Sequence, residues 1–311
     1  MTTLHPPPEL RDRTPPDPAG TGSAGREGPR RAGRSGGGAR LGRFLRRRPG
    51  LVAAVVVVVL VLTAAFVPAL LAPGDPAVGD TAQRMLPPGP GHWFGTDHLG
   101  RDVWTRVVHG AALSLQATVL AVAVALVVGG LVGLAAGYAG GRLDELLMRG
   151  VDVLLAIPAI LLSLALITAL GFGTVKVAIA VGIAGVASFA RVTRAETLRV
   201  RRSLYVEAAR AVGTRRLTTL WRHVLPNAAG PVTALAVLEF GLAILAVSAL
   251  SFLGYGAPPP ASEWGSLVAD GRNYLAVAWW ICAMPGLVIA ATVLSVNRIS
   301  RALDGEWGRS V

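Results

Sequence analysis

The chain has 311 residues, 52% of them hydrophobic and only 15% charged. A soluble domain of this size carries more charge, so the composition points to a membrane protein. The net charge of +12 would suit nucleic acid or an anionic surface, but the basic residues are segregated from the apolar runs, which favours the membrane. One cysteine, Cys282, excludes a disulfide framework and a cysteine-based zinc site, and its apolar surroundings read as packing.

Residues 1–39 are rich in Pro, Gly, Ser and Arg and cannot bury enough apolar surface to offset chain entropy, which predicts a disordered tail. Arg40, Arg43, Arg46, Arg47 and Arg48 then precede the first apolar run at Leu51. About 20 residues cross roughly 30 Å of hydrocarbon at about 1.5 Å each. That measure predicts six spans, at 51–72, 112–136, 152–171, 175–190, 228–254 and 276–297. The first lies too far from the N-terminus, and runs too long, for a cleaved signal core.

With the N-terminus inside, the loops at 137–151 and 191–227 and the C-terminus are cytoplasmic too. All but five of the 30 basic residues (Arg84, Arg101, Arg106, Lys176 and Arg272) then fall inside. Gly129, Gly130 and Gly133 in span two, with Pro158 and Pro285 in spans three and six, read as packing features that membrane helices tolerate. Asp152 is placed at the start of span three, where a carboxylate suits the helix dipole.

The loop from Ser203 to Pro231 reads as two short helices and a turn. Ser203 is the expected cap of the first, which runs through Glu207, Ala208 and Ala209, and Gly213 is its terminator. Leu217, Leu220, Trp221, Val224 and Leu225 form one apolar face on the second, which Pro226 is expected to stop. On composition alone, such a unit is either a docking surface or a solvated basic loop.

Glu207-Ala208-Ala209, Gly213 and then Leu225-Pro226 resemble the EAA loop of ABC importer permeases. His223-Val224-Leu225-Pro226-Asn227 is similar to the dipeptide, oligopeptide and nickel branch. So are Phe94-Gly95-Thr96-Asp97 with Gly100-Arg101-Asp102 and Arg106, and Leu250-Ser251-Phe252-Leu253-Gly254 with Pro258, Pro259 and Glu263-Trp264-Gly265. The resemblance covers residues 40–304 and is nearest the C-type subunit of paired dipeptide permeases.

It implies an all-α, polytopic integral membrane protein of about six transmembrane helices, with 40–304 the permease domain, 191–227 its cytoplasmic loop and 305–311 a cytoplasmic C-terminus. It further implies import of peptides, nickel or another small solute through the bacterial cytoplasmic membrane, without a cofactor. The implied partners are a second homologous permease, two cytoplasmic ATPase subunits and an extracytoplasmic substrate-binding protein. Glu207, Ala208, Ala209, Gly213, Leu225 and Pro226 would couple the chain to the ATPase. Two departures stand out: Asn297-Arg298-Ile299-Ser300-Arg301 replaces a Gly- and Asp-rich ending, and Val247 stands where many relatives carry a glutamate.

A phosphate-binding loop needs a lysine after its glycines, and the only lysine is Lys176, preceded by Val175. The subunit is therefore expected to bind no ATP itself. His92, His98 and His109 fall on the outer face with no recognisable metal spacing, and no histidine is placed inside a span. A proton- or ion-coupled secondary transporter is the alternative class, and it would show several intramembrane carboxylates and repeated halves. The spans hold one mid-span carboxylate, Glu239, and no clear repeat. On a helical wheel Ala236, Ala243 and Ala246 fall on its side, and Val237, Ile244 and Leu245 opposite. Glu239 is expected to face the pathway or a partner permease rather than lipid.

Overall fold

The computed structural model describes residues 49–307, and every regular element among them is helical. The expected disordered tail, the basic cluster that follows it and residues 308–311 lie outside the described residues. The first helix, α1 (Pro49–Phe66), begins where the apolar run begins, and a short turn, α2 (Pro68–Leu71), follows it. Next come α3 (Val103–Ala139), α4 (Gly141–Ala156), α5 (Ala159–Leu170) and α6 (Thr174–Arg201). The cytoplasmic loop of the sequence reading holds α7 (Leu204–Ala211) and α8 (Arg216–Thr219). Then come α9 (Leu225–Leu250), α10 (Trp264–Gly271) and α11 (Trp280–Trp307).

Five helical segments among the described residues are long and apolar enough to cross a membrane: Pro49–Phe66, Val103–Ala139, Thr174–Arg201, Leu220–Tyr255 and Trp280–Ala302. The sixth expected span, 152–171, is not one straight rod. Helices α4 and α5 pass the same test only as a pair, bent by 95° at the break between them. Pro158 is the cause: it offers no N–H and pushes the residue before it out of the helical region, and Ile157 is extended at φ −99°, ψ 128°. Asp152 consequently opens no span. It lies within α4 and accepts a hydrogen bond from Arg191 Nη2 at 2.8 Å, both side chains well exposed.

The centre of the bundle is the contact of α3 with α6, and glycine sets its closeness. A Cβ on Gly129 or Gly133 would collide with the carbonyl oxygens of Val186 and Ala190, and one on Gly137 would lie 2.8 Å from Thr197 Cβ. Gly182 returns the contact from α6, where a Cβ would come within 2.7 Å of Ala121 O. Small residues four apart let two backbones approach and gain dispersion contacts that lipid cannot supply. Gly130 faces open space and takes no part.

The connection between α2 and α3 is folded over one end of the bundle by a buried ion cage. Asp97 accepts from Arg101 Nε at 2.7 Å, from Arg106 Nη1 at 2.9 Å, and from the amides of Leu99 and Arg101 at 2.8 and 2.9 Å. Burial opposes ionisation of Asp97, but these amides and the two arginine charges outweigh it and hold the carboxyl below its ordinary value. At the same end Glu263 is fully buried, and its carboxylate caps α10 by accepting from the amides of Gly265 and Ser266. Trp264 anchors α10 to α3 through Nε1, which donates to Val107 O at 2.9 Å. Two of the quoted sequence blocks are therefore the fasteners of this cap.

Candidate functional site

The segment from Arg201 to Asn227 is tied to the bundle at both ends and exposed between them. Arg201 Nη1 donates to the carbonyls of Tyr138 and Gly137 at 2.8 and 3.3 Å, pinning the end of α6 to the end of α3. Ser203 does not cap α7 with its side chain as expected. Its carbonyl accepts from the amides of Val206 and Glu207, while its hydroxyl turns back and donates to Val200 O at 2.6 Å. Val206 is fully buried against Val200, Val224 and Ala228, with Leu220 and Tyr138 around them. This small apolar cluster fixes α7 on the scaffold.

The rest of α7 faces outward. Glu207 and Ala208 are exposed and Ala209 is half-buried, while Leu204 and Val212 are 83% and 84% exposed. Gly213 ends the helix at φ +81°. The Thr214 amide donates to Ala209 O at 3.1 Å, reaching back five residues as a left-handed terminator requires.

The second half departs from expectation at Pro226. No stop occurs there, because Leu220–Val224 form a π-helical turn that leads straight into α9. The Leu225 amide reaches back five residues to Leu220 O, and the widened turn makes room for a ring that cannot donate. Asn227 Nδ2 donates to His223 O at 2.7 Å beside it. Val224 is buried and Leu225 half-buried as the apolar face requires, but Trp221 is 61% exposed. The side chain of Leu217 lies outside the described part.

Deeper in the bundle, Glu239 lies near the middle of α9 on a cavity of about 320 Å³. Ala243 and Ala246 line it with Glu239, whereas Ala236 is not in the lining and packs behind it with Ala125 and Phe189. Of the opposite side, Ile244 is buried and Leu245 exposed. Ser188 of α6 and Ser163 of α5 line the cavity with the Glu239 carboxylate. Neither serine was singled out in the sequence, because their helices are distant in the chain and only the fold brings them to Glu239. Val247 is buried near Ile167 and Val177 and does not reach the cavity.

His92, His98 and His109, expected on the outer face, each have their own partner. His92 bonds Asp102 and Gln83, His98 stacks on Tyr274, and His109 Nε2 donates to Ala72 O at 3.1 Å. His109 lies inside α3, which begins nine residues before the expected span.

Comparison with known proteins now bears on this architecture. Residues 129–307 match the family described as binding-protein-dependent transport system inner membrane component. Residues 40–88 match the N-terminal TM domain of oligopeptide transport permease C. The chain is 40% identical over 260 residues to the "Probable D,D-dipeptide transport system permease protein DdpC" of Escherichia coli, covering 84% of this chain and 87% of that one. It is 38% identical over 258 residues to the dipeptide transport system permease protein DppC of Alkalihalophilus pseudofirmus, covering 83% and 84%. Among solved structures, an inward-facing MetNI methionine ABC transporter shares the fold, with a TM-score of 0.50 at 18% identity over 63% of this chain and 95% of that one. These findings set aside the secondary transporter: the chain belongs to the family of binding-protein-dependent transport system inner membrane components, as a multi-pass permease of an ATP-driven importer.

Proposed function

We propose that this chain is one of two paired permeases of a peptide importer, and that the segment 203–227 is where ATPase subunits grip it. The observation that carries the reading is the construction of that segment. Val206 and Val224 anchor it, while Glu207, Ala208, Leu204, Val212 and Trp221 stand exposed between two membrane-crossing helices. An exposed apolar group of this kind, rimmed by charge, marks an interaction surface. Ala208 and Ala209 permit close approach, Glu207 offers a carboxylate to a basic partner, and Gly213, Leu225 and Pro226 hold the geometry.

Peptide is the cargo named for the two relatives quoted above, and that supports peptide as the cargo of this chain. In this assembly two ATPase subunits sit on the cytoplasmic side with both termini of the permease, and a binding protein delivers cargo to the opposite face. The permease has no phosphate loop and hydrolyses nothing itself. The test is reconstitution in lipid with the ATPases, the second permease and the binding protein. Peptide uptake driven by ATP is expected from the full set, and no nucleotide turnover from the purified chain. ATP hydrolysis by the chain alone, or assembly that survives replacement of the whole 203–213 segment, overturns the reading.

A further inference from the structure

The cavity at Glu239 has a polarity that selects one kind of ligand. Its wall is apolar apart from Glu239, Ser188 and Ser163, and no lysine, arginine or histidine is among the residues that line it. Ser163 directs its hydroxyl proton to Ala159 O at 2.8 Å. Ser188 shares the cavity with the Glu239 carboxylate, the strongest acceptor open to its hydroxyl there. What the three side chains still present to the cavity is oxygen that accepts. An anion would find no donor there, and a neutral apolar group would leave a mid-helix carboxylate unmatched. A hydrogen-bond donor carrying positive charge satisfies all three.

Glu239 also stands alone in its setting. Among the described residues it is the one carboxylate in the middle of a membrane-crossing segment. A charge at such depth is costly unless it meets water, a proton or an opposite charge. The small residues Ala184, Gly185, Ala243 and Ala246 leave the space beside it, and Ile160 and Leu242 at the rim are 49% and 58% exposed, so the cavity is open rather than sealed. Its volume of about 320 Å³ is at the low end of small-molecule sites, which run from about 300 to 1,000 Å³. That is room for an amino-terminal residue and not for a whole oligopeptide.

We propose that the Glu239–Ser188–Ser163 cavity is a transit site for a primary ammonium group, which in a peptide importer is the amino terminus or a lysine side chain of the cargo. The identification of the cargo rests on the peptide reading above; the cation site does not.

Carbodiimide labelling of the purified transporter complex, read by mass spectrometry at Glu239, tests it directly. A neutral carbodiimide reacts with carboxyl groups in apolar surroundings. L-Alaninamide, a small primary ammonium, is expected to protect Glu239 by the factor 1 + [L]/Kd, about tenfold at ten times its Kd. N-Acetyl-L-alaninamide, similar in shape but uncharged, is expected not to protect. Protection by both, or by neither, overturns the proposal. So does a failure of the reagent to reach Glu239 at all, since a transit site must be accessible.

Glu239→Gln provides the second measurement. In reconstituted complex, uptake of Ala-Lys-Ala should fall more than uptake of Ala-Glu-Ala, with the subunits still assembled. Loss of the permease pair itself would instead show that Glu239 bonds the second permease, and would overturn the transit role. If the wild-type complex moves no peptide while alaninamide still protects Glu239, the peptide reading fails and the cation site stands.

Discussion

Gly213 is where the coupling proposal meets a number. Its φ of +81° is open to glycine and strained for other residues, and a Cβ built there meets nothing within 4 Å. The cost of substitution is therefore conformational, with no clash to confuse it. An alanine in this region costs roughly 1–2 kcal/mol. A β-branched valine costs more, since it is a genuine outlier at positive φ. Asparagine tolerates the region and costs less. A penalty of 1–2 kcal/mol lowers the population of the native turn by a factor of about 5–30. If docking requires the turn, the ATPase Kd rises by that factor for Gly213→Ala, further for Gly213→Val, and little for Gly213→Asn. Titration of labelled ATPase subunits against the permease pair in nanodiscs measures this order. Normal docking by Gly213→Val refutes the reasoning. Equal damage from asparagine and valine shows that the glycine acts through something other than its backbone.

Three further outcomes are expected. Glu207→Lys should weaken ATPase co-purification at least as much as Gly213→Ala while leaving membrane insertion unchanged, because it reverses an exposed charge and touches no buried contact. Gly133→Leu should break the α3–α6 contact, since even a Cβ collides with the Ala190 carbonyl and lies 2.8 Å from Thr193 Cβ; thermal unfolding should show a loss at the upper end of overpacking costs, about 3 kcal/mol or more. The Asp97 ion cage should weaken only in strong acid. Asp97 titrates below its ordinary 3.8, so its contribution is fully present above about that pH and is lost as pH falls through the lower folded value. Hydrogen exchange in 72–102 should report this, and Asp97→Asn should show the loosened cap already at neutral pH.

Much of the architecture is legible in the sequence because the bilayer imposes one length on every crossing segment. The five uninterrupted spans follow from apolar runs alone. The bend at Pro158 does not, because a hydropathy window registers how apolar a stretch is and not which way it turns. Gly129 and Gly133 were recognisable as close-packing residues, but Gly137 was missed because it falls one residue beyond the expected end of span two. The terminating role of Gly213 was readable from local chemistry. The fate of Pro226 was not, since a π turn depends on what the flanking helices demand of the backbone. Ser188 and Ser163 carry no signal at all until three helices converge on them.

The uninterrupted passage from α8 through the π turn into α9 makes this region a lever. Residues Leu220–Leu250 form one helical rod with no loop in it, and the backbone leaves helical geometry only beyond it, at Gly254. Trp221 near its tip and Glu239 partway along are about 27 Å apart at about 1.5 Å per residue. A stiff rod carries a sideways push at one end to every point along it. A tilt of about a tenth of a radian pivoting at Trp221 would shift Glu239 by roughly 3 Å over that length. The π turn is part of the rod and holds Trp221 itself. Tightening it by deleting one residue would rotate everything beyond by about 100° at 3.6 residues per turn, swinging Glu239 away from Ser188 while leaving the exposed tip in place.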